Sequence, residues 1–135
     1  MTTLAQDAQR NFELGTINEL PVIAGDIIYE GAAVGINGSG YARPLQGGDT
    51  FAGFAETRAD NSNGAAGDTH VRVRTQGSVE IPVSALAASN VGLPVYAADD
   101  DTFTKTATGN SFVGRVSRVV SAGVGVIAFN TLITS

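Results

Sequence analysis

The stretch Thr69-His70-Val71-Arg72-Val73-Arg74-Thr75-Gln76-Gly77-Ser78-Val79-Glu80-Ile81-Pro82-Val83 decides the fold class. Its apolar residues Val71, Val73, Val79, Ile81 and Val83 are all odd-numbered, while His70, Arg72, Arg74, Gln76, Ser78 and Glu80 hold even places. Alternation at period 2 marks a strand with one dry face and one wet face. The run exceeds the usual strand length of roughly 5–6 residues, so Gly77 is expected to mark a bulge or bend where one strand becomes two. Pro82 has no N–H to give to a ladder, which places that end of the run at a sheet edge.

On the N-terminal side, short apolar runs are cut by glycine, proline, asparagine and aspartate, predicting strands at Leu20 to Ala24, Asp26 to Tyr29, Ala32 to Ile36, Tyr41 to Leu45 and Thr50 to Thr57. Ile36-Asn37-Gly38-Ser39-Gly40-Tyr41 has the residues of a tight reversal, and Asp60 to Asp68 reads as a surface loop. On the C-terminal side, Ser84 to Ser89 has room for one helical turn. Strands then come at Val91 to Ala97, Thr102 to Thr106, Ser111 to Val120 and Val124 to Leu132. In the last of these, Val124, Val126 and Ala128 alternate with Ile127 and Phe129, so both faces are apolar; either the strand is central or one face is an interface.

This texture predicts an all-β protein, a compact β-barrel or β-tulip of short antiparallel strands in one domain over residues 20–135. Residues 1–19 read as an N-terminal arm, polar and glycine-poor. Thr3 and Gln6 stand in capping-box spacing for a short helix. The arm has too few apolar residues for a core of its own, and Phe12 and Leu14 are its candidate anchors on a neighbouring subunit.

A weak internal repeat is present. Gly25-Asp26-Ile27-Ile28-Tyr29 resembles Val91-Gly92-Leu93-Pro94-Val95-Tyr96, and each is followed by a Phe-x-Gly strand, Phe51-Ala52-Gly53 and Phe112-Val113-Gly114. Each half ends in a long strand, so two similar β units closed on each other are expected.

Composition narrows function. Of 135 residues, 43% are hydrophobic and only 16% charged, against about 25% charged in an average soluble domain. That leaves weakly polar surface free for contact with other chains. The net charge of −5 opposes binding to a phosphate backbone. There is no cysteine for a disulfide or a thiolate metal site, and no apolar run nears the roughly 20 residues of a membrane span. The N-terminus lacks the pattern of a signal peptide, so synthesis in the cytoplasm is expected.

No catalytic or cofactor pattern appears. His70, the only histidine, lies on the wet face of the long run and reads as a surface residue. Asp99-Asp100-Asp101 lacks the alternate carboxylates, central glycine and closing glutamate of a calcium loop. The clusters Gly35 to Gly40 and Gly47-Gly48 fit neither a P-loop nor a dinucleotide fingerprint. No metal and no cofactor is expected. Arg72 and Arg74 share a face, and with Arg115 they form a candidate basic strip that Glu80 weakens.

The order of several short motifs resembles the small capsid decoration, or cement, proteins of tailed bacteriophages and prophages. The motifs are Gly25 to Gly31, Arg43-Pro44, Phe51 to Ala55, Ala66-Gly67-Asp68 before Val71-Arg72-Val73, Gln76-Gly77, Val91 to Tyr96 and Gly109 to Gly114. The likeness spans roughly Thr16 to Phe129, and its specificity lies in order and spacing. It implies a non-enzymatic virion protein on the outer capsid surface that touches the major capsid protein and stiffens the expanded head. A homo-oligomer is expected from the weakly charged surface and the last strand, and the resemblance favours a trimer. Candidate capsid or subunit contacts are Phe12, Leu14, Arg72, Arg74, Ile127 and Phe129. The alternative is an exposed adhesion or glycan-binding β module on the particle surface.

Overall fold

A computed structural model describes residues 5–7, 9–10 and 13–131. Among these the strands are β1 (Ile17–Pro21), β2 (Ile27–Ile28), β3 (Ala33–Ile36), β4 (Ala42–Pro44), β5 (Thr50–Ala55), β6 (Ala59–Asp60), β7 (His70–Arg74), β8 (Gln76–Pro82), β9 (Pro94–Ala97), β10 (Phe103–Thr104), β11 (Ser111–Ser121) and β12 (Val124–Asn130). A single 3-10 turn, Ala88–Asn90, stands near the helical turn expected before β9. The protein is all-β.

The long alternating run is two strands, as its length requires. Val71 and Val73 on β7 are fully buried, and Ile81 on β8 is 8% exposed, while His70, Arg72, Arg74, Ser78 and Glu80 face water. The division falls at Thr75, two residues before Gly77. β8 pairs with β12 through Gly77 without a register shift, so the glycine makes no bulge there. Pro82 lies on an edge strand, as a residue without a ladder donor must.

Changing partners at Thr75 splits the molecule. β7 pairs with β1 and β5 in a sheet ordered β1-β7-β5-β3-β4, whereas β8 pairs with β12 in a sheet ordered β10-β9-β11-β12-β8. All ladders are antiparallel, and a small β2-β6 ribbon completes the set. The expected barrel is corrected here: both sheets are open. Each curls until its edges meet at one end, where the Ile23 N–H donates to the Ala42 carbonyl and the Ser84 N–H to the Phe103 carbonyl. No continuous ladder closes either sheet, and the two stack in a sandwich-like arrangement.

The two β units are similar in detail. Counted along each half, both sheets place their strands in the order first, fifth, fourth, second, third. Positions 61 apart correspond from Glu19-Leu20-Pro21-Val22, matched by Glu80-Ile81-Pro82-Val83, through Phe51-Ala52-Gly53, matched by Phe112-Val113-Gly114. In both Phe-x-Gly segments the middle residue is skipped by the neighbouring strand, giving a bulge at the same place. Hydrogen bonds outside the ladders recur too. Val22 to Thr69 matches Val83 to Gly123, Gly31 to Ala55 matches Gly92 to Val116, and Ala55 to Ala32 matches Val116 to Leu93. The expected pairing of Gly25-Asp26-Ile27-Ile28-Tyr29 with Val91 to Tyr96 is overturned, because the ladder sets Val34 beside Gly53 as it sets Val95 beside Gly114. Gly31-Ala32-Ala33-Val34 is therefore the true counterpart of Gly92-Leu93-Pro94-Val95. Gly31 and Gly92 share a left-handed backbone, with φ of 87° and 89°.

One core lies between the sheets. Phe51 and Phe54 of the first sheet meet Phe103 and Phe129 of the second, and Phe54 and Phe129 pack edge to face at 5.1 Å. A second core lies on the other side of the first sheet, where Val34, Ala55, Val71 and Val73 pack with Ile28 and Ala59 of the small ribbon. β1 begins at Ile17, so the last three residues of the expected arm belong to the first sheet.

Candidate contact surfaces

Of the candidate contacts, Phe12 lies outside the described residues, and Thr3 of the expected helix does too. Leu14 is 94% exposed. The described residues before β1 include no helix.

Ile127 and Phe129 are corrected. β12 is flanked by β11 and β8, which takes the central alternative for a strand apolar on both faces. Ile127 is fully buried and Phe129 is 6% exposed among the core phenylalanines, so neither reaches a contact surface.

Arg72 and Arg74 are exposed on β7, directed away from Val71 and Val73. Their charge is spent within the first half. Arg72 reaches Glu56 at 3.2 Å and Glu19 at 3.9 Å, and Arg74 reaches Glu56 at 3.3 Å. Glu19 stands opposite Arg72 in the ladder, so the pair is built into the register. Two cations face two carboxylates, leaving a patch that is nearly neutral. Arg115 lies on the second sheet and is not part of it.

The remaining chemistry-bearing residues are structural or solvated. His70 is exposed at the start of β7, opposite Pro21. In the Asp99 to Asp101 turn, the Asp101 N–H donates to the Asp99 carboxylate, which holds Asp99 below its ordinary range. The Asp100 carboxyl is pushed up by burial and by its two acidic neighbours. Its carbonyl accepts the Ala33 N–H, tying the halves together. The same turn forms one wall of an open cleft of about 490 Å³ whose other lining residues include Tyr29, Glu30 and Gly31. Among the described residues, no three histidine, aspartate or glutamate side chains converge to hold a metal ion.

Two features were not anticipated. Asn61 is 2% exposed in a loop expected to be solvated, and its amide donates to the Ile23 and Ala65 carbonyls at 2.8 and 3.0 Å. A loop asparagine reads as a turn residue, and nothing local distinguishes one that is buried. The other is the outer face of the second sheet, where Tyr96 and Phe112 pack at 5.8 Å and Arg115 and Arg118 follow Phe112 along β11. The correspondence of Phe112 with buried Phe51 was a usable signal for it. Comparison of the chain with protein-family models, curated proteins and solved structures returned no match.

Proposed function

We propose that this protein is a non-enzymatic capsid decoration protein of a tailed phage or prophage, made in the host cytoplasm and bound to the outer surface of the head. It bridges neighbouring major capsid protein subunits and stabilises the expanded shell. The observation that carries this reading is the ordered series of turn and strand motifs from Gly25-Asp26 to Phe112-Val113-Gly114. A standard contact of about 800 Å² per partner is enough for each copy. Many copies bridging adjacent capsomers then act together, so internal pressure must break many bridges at once.

Two properties of the fold suit such a role. Both sheets lie within one short chain and share a phenylalanine core, giving a stiff body for its size. The net charge of −5 suits an outer surface better than contact with packaged DNA. The test is addition of purified protein to expanded, undecorated heads, followed by heat and low-salt challenge. Saturable binding with increased head survival is expected; heads that neither bind the protein nor gain resistance refute the proposal. Sedimentation of the free protein tests the accompanying trimer.

A further inference from the structure

The first sheet uses one of its faces to pack against the second sheet. By the 61-residue correspondence, the same face of the second sheet carries Phe112 in place of Phe51, Arg115 in place of Phe54, and Tyr96 in place of Gly35. Phe51 and Phe54 are 8% and 5% exposed, whereas Tyr96 and Phe112 are half-buried and Arg115 is exposed. The fold thus builds the same surface twice and covers it once. Tyr96 and Phe112 lie opposite one another in the ladder, edge to face.

Charge separates the two halves further. In the first half Arg43, Arg58, Arg72 and Arg74 each lie within 4 Å of a carboxylate. On the second sheet Arg115 donates to the Gly92 carbonyl at 3.2 Å, and neither it nor Arg118 has a carboxylate partner among the described residues. The one acidic side chain on the strands of this sheet is Glu80. It is separated from Arg118 by β12, with Val126 between them in the ladder, a gap of two strand spacings or about 10 Å. Two cations without carboxylate partners among the described residues thus follow Phe112 along β11, on a chain of net charge −5.

We infer that this face binds an extended, carboxylate-bearing segment of another protein. Its carboxylates pair with Arg115 and Arg118, and its apolar side chains lie on Tyr96 and Phe112. Bidentate guanidinium–carboxylate geometry favours such a partner. Two cations on an acidic chain are too few to hold a phosphate backbone. The surface is a property of the second sheet alone, so failure of the protein to bind heads would leave it standing.

The test is an NMR titration of the ¹⁵N-labelled full chain with a short capped peptide of alternating glutamate and valine, beside a lysine–valine control. Saturable shifts are expected at the amides of Tyr96, Phe112, Arg115 and Arg118 with the acidic peptide only. The Arg115→Glu/Arg118→Glu double variant should bind about tenfold or more weakly. Because both side chains are exposed, its unchanged spectrum away from this face will verify folding. Absence of saturable shifts, an equal response to the lysine peptide, shifts centred on Arg72 and Arg74, or unchanged binding by the variant would each overturn the inference. Shifts at these residues that vary on dilution without peptide would assign the face to a second copy and overturn it equally.

Discussion

The two halves share a topology, a bulge and a set of loop hydrogen bonds, yet the same position has opposite fates in them. Phe54 is buried among aromatic rings; its counterpart Arg115 stands in water. The contact between halves is head to tail, since one face of the first sheet meets the opposite face of the second. A heterologous contact of this kind leaves a free face at each end. The first half closes its free face with the β2-β6 ribbon and the loop around Asn61, in a connection seven residues longer than its counterpart. The second half instead places arginine where the first has phenylalanine. Similar ladders therefore do not require similar cores, and the connections between strands decide which face is dry.

Exchanging the contrasting residues is the harshest way to break that comparison. Phe54→Arg should lose about 3–5 kcal/mol of packing before the cost of an unpaired buried charge is added. Urea melts are expected to show little or no native protein. Arg115→Phe should leave the unfolding free energy within about 0.5 kcal/mol, as most surface changes do, while raising self-association in sedimentation. Equal tolerance of both changes would mean that the halves do not pack as described.

The shared glycines give the next largest effect. A Cβ at Gly53 would collide with the Arg74 carbonyl, and one at Gly114 with the Ala128 carbonyl, which occupy equivalent places. Each alanine substitution should cost about 1–3 kcal/mol for overpacking. Gly53→Ala should cost about 1–3 kcal/mol more, because its φ of +131° suits glycine alone. Chemical denaturation of both variants checks the order, and a more damaging Gly114→Ala would contradict it.

Asn61→Ala tests the closure found in the first half. It removes two hydrogen bonds, to the part-buried Ile23 and Ala65 carbonyls, and at about 0.5–1.5 kcal/mol each should cost about 1–3 kcal/mol. Hydrogen exchange is expected to accelerate around Val22 and Val71 before it does around Val95 and Ile127. Uniform acceleration would show that the loop does not act locally.

The smallest effect is electrostatic. Asp49 is held below the usual carboxylate range by hydrogen bonds from Arg43, at 2.7 and 3.0 Å, and its counterpart in the second half is neutral Asn110. A depressed carboxyl stabilises the fold above its unfolded pKa, and that stability is lost as pH falls through the folded value. Asp49→Asn should therefore cost about 0.5–1.5 kcal/mol at neutral pH and nothing in acid. Asp100 has the opposite sign: its raised folded pKa means a penalty at neutral pH that protonation removes. Asp100→Asn should stabilise slightly at neutral pH, with the gain vanishing as pH falls. Thermal melts across the acid range separate the two variants.

Much of the fold was legible because alternation is a local signal. Thr69 to Val83 announced its dry face, Pro82 its edge, and the Asn37 turn its reversal, with Asn37 accepting from the Ser39 and Tyr41 N–H groups. β6, two residues long, carries too short a pattern to be read. The repeat was half legible. The two Phe-x-Gly segments correspond in the fold as in the sequence, whereas the likeness of Tyr29 to Tyr96 lies six residues out of the ladder correspondence, because side-chain likeness says nothing about register. For the contact surfaces, an apolar residue looks the same to local pattern whether a core or a partner covers it. Ile127 and Phe129 therefore look like contact residues in the sequence and are core residues in the fold.

The sequence by itself determined the all-β class, the positions of the longer strands, the dry face of the Thr69 to Val83 run and the presence of two related units. These depend on period-2 patterning, turn residues and proline, which act within a few neighbours. Only the tertiary structure decided that the sheets stay open, that β7 and β8 serve different sheets, and that Phe54 and Phe129 face each other while Phe112 and Arg115 face water. Those outcomes depend on which distant strand pairs with which, and burial is settled only when that partner arrives.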